Sequence, residues 1–143
     1  QIESRHAMRA ITGVGGRVMM HASAAGKVLL AHMEPSRRNK ILASQTLPAV
    51  TDMTITRRDA ILDALEEVRQ VGYAVDDEEH AIGLRCVASP LFDEMGQPVA
   101  AISISGPSAR VPRERLELLG RMVAQAALEA TRDFGGEMPM AAQ

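Results

Sequence analysis

The chain has 143 residues, of which 46% are hydrophobic and 24% are charged, the length and balance of one globular domain. Its formal net charge is −2. Because a nucleic-acid-binding domain normally carries an excess of basic residues, we do not expect this chain itself to bind DNA. Aromatic residues make up 2%, which excludes a base-stacking platform, and the lone Cys86 excludes a disulfide scaffold and a multi-cysteine zinc site.

No window approaches the roughly 18 apolar residues of a membrane span, and the polar N-terminus does not resemble a signal peptide. A single thiol fits a reducing compartment. We therefore expect a cytoplasmic protein with no membrane partner. Because the first residue is Gln1 rather than Met, we also expect a fragment of a longer protein.

The first half of the chain predicts a hairpin followed by two helices. Residues 2–11 form a weak strand pattern, glycines follow as a turn, and residues 17–20 predict the return strand. Ser23 is a good N-cap for a helix that runs to His32, because strong helix formers follow it. A second short helix begins near Pro35, a residue suited to the first helical position.

The second half predicts one helix, three strands and a final helix. Turn signals separate the periodic apolar segments. The helix is predicted at 57–71, the strands at 73–76, 84–93 and 98–105, and the final helix from about Pro112 to Gly135. Gly96 marks a hairpin between the last two strands. This order predicts an α+β domain with an antiparallel or mixed sheet and helices on its faces.

The helix start after Ser23 is a candidate anion site. Backbone N–H groups in a first turn lack intrahelical partners, and the helix dipole is positive there. Ala24 and Ala25 have almost no side chain to block access, so a small carboxylate can sit on their N–H groups. The alternative is a helix start of small residues packed closely on a sheet.

Ser103 and Ser105 share one face of the strand 98–105 with Ala101. Two hydroxyls on one face either point into solvent or line a polar pocket. The strand is otherwise apolar, which favours a central place in the sheet and hence a pocket.

Asp76, His80 and Cys86 form a third group of candidates. Asp76 ends an apolar strand, and burial there would raise its pKa. Cys86 is either a small core residue or the nucleophile of a Cys–His hydrolase, although no helix N-terminus precedes it to stabilise a thiolate. The acidic run 76–79 with His80 is either a metal site or a solvated turn, and it lacks EF-hand spacing.

Three blocks resemble the effector-binding domain of the IclR family of bacterial transcriptional regulators. They are DDEEHAIGLRCVA at 76–88, HASAAGK at 21–27 and AAISISGP at 100–107. The blocks occur in the family's order and spacing, and the resemblance extends from about residue 2 to residue 136.

The resemblance implies a GAF-like α+β fold with a curved, mainly antiparallel sheet and helices on its faces. It implies an effector-binding domain at 1–136, a tail at 137–143, and an N-terminal winged helix-turn-helix domain in the full-length protein that this chain lacks. It also implies a homodimer or homotetramer that contacts DNA only through that domain. We expect no enzyme activity, cofactor or metal; repressor and activator both remain open.

In the glyoxylate- and pyruvate-responsive branch of the family, two helix-start positions, an Asp, a Cys and two Ser hold the ligand. Matching the motifs implies an effector site formed by Ala24, Ala25, Asp76, Cys86, Ser103 and Ser105. Close relatives carry Gly at the position of Ala24, and the added methyl narrows the pocket. No Lys or Arg is expected beside the anion, so amide and hydroxyl donors must hold it.

The expected ligand is therefore a small 2-oxo acid, glyoxylate or pyruvate. Three alternatives remain open from the sequence. The same domain can sense an aromatic or sugar acid, because one scaffold hosts several specificities. The chain can instead be a small cytosolic enzyme that uses Cys86 or Asp76, or an oligomerisation module with a vestigial pocket.

Overall fold

A computed structural model describes residues 15–44 and 46–139 of the chain. The elements in order are a 3-10 turn at Met20–Ala22, α1 (Ala24–His32), α2 (Pro35–Ser44), α3 (Arg58–Val71), β1 (Ala74–Asp77), β2 (Leu84–Phe92), β3 (Pro98–Pro107), a 3-10 turn at Arg113–Arg115 and α4 (Leu116–Asp133). The four helices and the last three strands that the sequence predicts are confirmed. No helix among these residues is long and apolar enough to cross a membrane.

The strands form an antiparallel sheet in the order β1-β2-β3, which confirms the expected α+β class. Within the described residues β3 is an outer strand, and its apolar face is only partly covered, since Ile104 is 40% exposed. Its central position in the sheet stays a prediction, because the predicted strand at 2–11 lies outside those residues.

The main core lies between α1, α3 and one face of the sheet. α1 contacts all three strands, and α3 packs on α1. The fully buried side chains here include Val28, Leu30, Ile61 and Leu65, with Ala88 on the sheet. Gly72 ends α3 in the left-handed conformation, with φ 82°, as helix-terminating glycines commonly do. This core sets the N-terminus of α1 over the strands.

α4 contacts the same three strands. Alternate residues of a strand point to opposite faces, so Val87, which is 1% exposed, lies on the face opposite Ala88. The close approach of α4 depends on Gly120, because a Cβ there would stand 2.3 Å from the ring of Tyr73. The sheet is thus covered on both faces by helices.

The segment before α1 differs from its prediction. Residues 16–19 have no regular structure, and Met20–Ala22 form a 3-10 turn, so the predicted return strand at 17–20 is wrong. The turn packs on α1 so closely that a Cβ on Gly26 would lie 2.3 Å from the Met20 carbonyl oxygen. The predicted strand at 2–11 lies outside the described residues.

The β2–β3 connection is the hairpin that the sequence predicts. Gly96 has φ 68°, and the Asp93 carboxylate accepts hydrogen bonds from the N–H groups of Met95 and Gln97. The N–H of Glu137 donates to the Asp93 carbonyl at 2.9 Å, which brings the chain after α4 back to this hairpin. The domain boundary at residue 136 stays a prediction.

Candidate functional site

The sheet brings the predicted strand residues onto one face. Asp76 stands opposite Cys86 in the β1–β2 register, and Cys86 stands opposite Ser105 in the β2–β3 register. Ser103 lies two residues before Ser105, opposite Ala88. The Ser105 hydroxyl donates to the Cys86 sulfur at 3.2 Å. The row runs from buried Asp76 through half-buried Cys86 to exposed Ser105, so the site is open on its β3 side.

The start of α1 lies over this face. Ser23 caps the helix, because its hydroxyl accepts the N–H of Gly26 at 3.1 Å. The N–H groups of Ala24 and Ala25 have no hydrogen-bond partner among the described residues. Ala24 is fully buried in the core cluster, against which Ala25 and Cys86 pack. Two unpaired donors at a helix N-terminus therefore lie beside the strand row.

Asp76 is 2% exposed and is held by the loop that follows β1. Its Oδ1 accepts the N–H of Glu79 at 2.8 Å and the N–H of His80 at 3.2 Å, and Oδ2 has no partner among the described residues. Burial raises the pKa of Asp76, although those two hydrogen bonds and the charge of Lys27 oppose the rise. The side chain can therefore accept a hydrogen bond as the anion or donate one as the acid.

An ion pair between Lys27 and Glu79 lies next to Asp76, and the sequence analysis missed it. Lys27 is 4% exposed and Glu79 is 7% exposed, and the ammonium donates to Glu79 Oε1. Glu79 Oε2 is buried and has no partner among the described residues. Burial raises the pKa of Glu79, against the attraction of Lys27. Lys27 is thus a buried cation near the site, but Glu79 is its partner, and the expectation that amide and hydroxyl donors hold the anion stays a prediction.

Helical spacing carried a signal for Lys27. The buried residues of α1 include Ala24, Lys27, Val28 and Ala31, which are spaced as one face of a helix. A lysine on that face is forced inward and needs a buried acid to pair with. No local signal identifies Glu79 as that acid, since 52 residues separate the two.

Cys86 is a thiol in this environment. Burial raises its pKa, and the charge of Asp76 acts in the same direction; hydrogen bonds with Ser105 and Ser103 oppose it. Its sulfur contacts the Ser105 hydroxyl and the Val87 carbonyl, and no base among the described residues hydrogen-bonds it. A catalytic thiolate needs a lowered pKa and an adjacent base, so these contacts favour a wall of a site over a nucleophile.

The acidic run does not converge as metal ligands do. Asp77 and Glu78 both accept from Arg85, whereas Asp76 and Glu79 lie on the α1 side. Among the described residues no group of three or more His, Cys, Asp or Glu side chains is arranged to hold a metal ion.

Two threonines that the sequence analysis did not select fix the loop after β1. The Thr51 hydroxyl donates to the Glu78 carbonyl and the Thr54 hydroxyl donates to the Glu79 carbonyl, each at 2.7 Å. The same segment is tied to the chain before α1, because His21 Nε2 lies 3.1 Å from the Pro48 carbonyl oxygen. These contacts position the backbone N–H groups that bind Asp76.

Comparison with known proteins gives a consistent result. Residues 1–132 match the family model "Bacterial transcriptional regulator IclR C-terminal". The transcriptional repressor IclR of Escherichia coli is 43% identical over 136 residues, which cover 95% of this chain and 50% of that protein. The chain therefore spans about half the length of the curated relatives it matches.

Solved structures agree with this similarity. The crystal structure of the Thermotoga maritima IclR superposes with a TM-score of 0.88 at 34% identity, covering 94% of this chain and 54% of that chain. The PobR inducer-binding domain from Acinetobacter, a double mutant complexed with 3-hydroxybenzoic acid, superposes with a TM-score of 0.75 at 29% identity, covering 82% of this chain and 69% of that chain.

Proposed function

The chain belongs to the IclR family of bacterial transcriptional regulators and corresponds to its C-terminal effector domain, and we propose that its effector is a small 2-oxo acid, glyoxylate first and pyruvate second. The observation that carries the proposal is the row of Asp76, Cys86 and Ser105 beneath the unpaired N–H groups of α1. This arrangement supplies donors for a carboxylate and one group that can accept or donate.

The chemistry of each group suits a hydrated or keto acid. The N–H groups of Ala24 and Ala25 and the helix dipole attract the carboxylate. The hydroxyls of Ser103 and Ser105 donate to its oxygens. Asp76 accepts from the hydroxyl of a hydrated aldehyde, or donates to a carbonyl when it is protonated.

We prefer a small acid over an aromatic one because the polar groups of the site match the oxygen atoms of a short oxo acid. Ala24 itself is fully buried in the core cluster. The neighbouring structure with 3-hydroxybenzoic acid bound favours the second candidate, an aromatic acid on the same fold. The two candidates make different predictions for a titration with benzoate.

Regulation requires that the ligand discriminate between two states of the assembly. We propose a homodimer or homotetramer of a longer protein in which binding changes the arrangement of protomers and hence operator binding by an N-terminal winged helix-turn-helix domain. A ligand shifts such an equilibrium only by its differential affinity for the two states. Operator affinity of the longer protein measured with and without glyoxylate tests this step.

Isothermal titration of the 143-residue chain with glyoxylate, pyruvate and benzoate tests the effector class. We expect saturable one-site binding of both 2-oxo acids and none of benzoate. Binding of benzoate alone would indicate an aromatic effector, and no binding of any of the three acids would contradict the proposed site. NMR of the incubated glyoxylate tests the enzyme alternative, because a sensor returns its ligand unchanged.

The double substitution Ser103→Ala and Ser105→Ala tests the placement of the site. Loss of two donors to a bound anion should weaken glyoxylate binding by about 2–4 kcal/mol, at about 1–2 kcal/mol for each charge-assisted hydrogen bond. Ser44→Ala is the matched control, because this exposed hydroxyl donates to a carbonyl within α2. Unchanged affinity in the folded double variant would falsify the assignment of β3 to the site.

A further inference from the structure

Three ionisable side chains occupy one buried cluster beside the proposed site. Asp76 is 2% exposed, Glu79 is 7% exposed and Lys27 is 4% exposed. Lys27 pairs with Glu79, so the two opposite charges of that pair compensate each other. Asp76 is held by two backbone N–H groups and, in the part of the chain that the structure describes, has no cationic side chain bonded to it. With all three ionised, the cluster carries one uncompensated negative charge.

Within residues 15–44 and 46–139, the groups that face Asp76 from neighbouring elements do not supply a second fixed cation. α1 contributes Lys27, β2 contributes the thiol of Cys86, and the loop contributes Glu79 and His80. β3 contributes two neutral serine hydroxyls on this face. Of these groups only Lys27 carries a fixed positive charge, and Glu79 accepts its hydrogen bond.

Arg85 is directed elsewhere. Its guanidinium donates to Asp77 and Glu78 and to the carbonyls of Ser108 and Val111, all away from Asp76. The residue therefore does not compensate the charge of the cluster, although it is adjacent to Cys86 in the chain.

We propose that a carboxylate ligand binds this site together with one proton, which Asp76 takes up from solvent. The inference rests on the proposed function, because it concerns the same site. A ligand carboxylate placed beside an ionised Asp76 brings two like charges together in a buried environment, and two carboxylates that share a site cannot both stay ionised without cost. Protonation of one of them removes the repulsion.

The hydrogen bonds indicate which oxygen takes the proton. Oδ1 of Asp76 accepts both loop N–H groups, so a proton there would displace them. Oδ2 has no partner among the described residues. A proton on Oδ2 makes Asp76 a hydrogen-bond donor to a ligand oxygen, and the backbone bonds to Oδ1 are retained.

Glu79 is the poorer proton acceptor of the two carboxyl groups. Its Oε1 holds the buried ammonium of Lys27, and neutralising it would leave that ammonium without a counter-charge. Because the groups are coupled, the proton count belongs to the cluster; the ion pair directs it to Asp76. Burial, which raises the pKa of Asp76 before any ligand arrives, acts in the same direction.

The consequence is a pH-dependent affinity. Glyoxylate is fully ionised above about pH 5, so its own titration does not contribute. Over the interval between the pKa of Asp76 in the free protein and its higher value in the complex, Kd should rise up to about tenfold per pH unit. Affinity is therefore highest at the acid end of the range in which the protein is folded.

The experiment is isothermal titration with glyoxylate between about pH 5 and pH 8, repeated in two buffers of different ionisation enthalpy. Proton uptake appears as a dependence of the observed enthalpy on the buffer. For the parent chain we expect uptake of up to one proton per ligand and a Kd that rises with pH. For Asp76→Asn, which keeps an oxygen acceptor for both loop N–H groups, we expect binding without uptake and a pH-independent Kd.

Two further variants complete the test. Asp77→Asn is the matched control, because Asp77 lies on the opposite side of the loop with Arg85, and its uptake should equal that of the parent chain. Glu79→Gln removes one negative charge from the cluster, so its affinity at the alkaline end should increase at least severalfold. Proton uptake by the parent chain keeps the inference testable if either variant does not fold.

The outcomes separate the two proposals. Tight binding with no proton uptake and a flat Kd overturns the inference and leaves the effector assignment intact. Uptake that persists in Asp76→Asn also overturns it, because another group then takes the proton. Absence of binding at every pH contradicts the proposed function itself.

Discussion

Four consecutive acidic residues span the end of β1 and the start of the loop that follows it, yet they enter two different environments. Asp76 and Glu79 lie buried on the α1 side, and burial raises the pKa of each. Asp77 is 26% exposed on the other side. Burial alone would raise its pKa, but hydrogen bonds from Arg85 and Arg113 outweigh that effect and lower it. Glu78 accepts a hydrogen bond from the same Arg85.

Backbone geometry separates the two pairs. Asp76 and Asp77 point to opposite faces because strand residues alternate. Glu78 then takes a left-handed conformation with φ 63°, which turns the chain and directs Glu79 back to the α1 side. The difference teaches that the balance between burial and charged partners, and not the residue type, decides whether the pKa of a carboxyl group rises or falls.

Removing the cation of the buried pair should produce the largest effect. Lys27→Met leaves Glu79 buried without its partner, which typically costs about 3–5 kcal/mol. Urea unfolding at neutral pH measures the loss. Adding Glu79→Met to the same chain should recover most of it, because an apolar pair replaces the ion pair without leaving a charge.

The exposed pair Arg57–Asp59 provides the control for that comparison. Its side chains are 77% and 62% exposed, so Arg57→Met should leave the free energy of unfolding unchanged within error. Equal effects of Lys27→Met and Arg57→Met would show that burial of the Lys27–Glu79 pair does not increase its contribution to the free energy of unfolding. That result would refute the expected difference between a buried and an exposed ion pair.

Local signals predicted most of the fold. α3, the Gly72 cap and the hairpin at Gly96 were predictable because periodicity and glycine conformations act over a few residues. The segment 17–20 was not, since contact with α1 at Gly26 decides its conformation. Tertiary contact overrode a weak strand propensity there.

The site was predictable in part. The face shared by Ser103 and Ser105 follows from strand alternation, and their link to Asp76 and Cys86 came from the family resemblance. The burial of Glu79 was missed, because contiguous acidic residues are normally solvated and nothing near it in the chain reveals Lys27. Pairing between distant segments is what a single sequence leaves unspecified.

Substitutions at adjacent positions should change stability in opposite directions. A carboxyl group with a raised native pKa binds its proton more tightly in the folded state, so Asp76 costs stability as pH rises from its unfolded pKa to its native pKa. Asp76→Asn should therefore gain stability relative to the parent above about pH 4, and the gain should persist at neutral pH.

Asp77 has the opposite sign. Its lowered native pKa contributes stability above the unfolded pKa, and this contribution is lost as pH falls through the native pKa. Asp77→Asn should cost about 1–2 kcal/mol at neutral pH, through weakened hydrogen bonds to charged partners, and little in acid. Urea unfolding at neutral pH and in acid measures the free energy of unfolding of the two variants. If it changed with pH in the same way in both, the two carboxyl groups would not lie in different environments.

The smallest effect should come from the outer partner of Asp77. Arg113 donates to Asp77 Oδ2 at 2.6 Å, but its side chain is 57% exposed, so solvent screens the pair and Arg113→Gln should cost less than about 1 kcal/mol. Arg85, at 11% exposure, also binds the carbonyls of Ser108 and Val111, so Arg85→Gln should cost more.

Added salt should abolish the effect of Arg113→Gln and leave most of that of Arg85→Gln. At 1 M salt the Debye length is about 3 Å, so exposed charges are screened and buried ones are not. Equal salt sensitivity of the two variants would mean that solvent screens the ion pairs of Arg85 as strongly as the pair of Arg113 with Asp77.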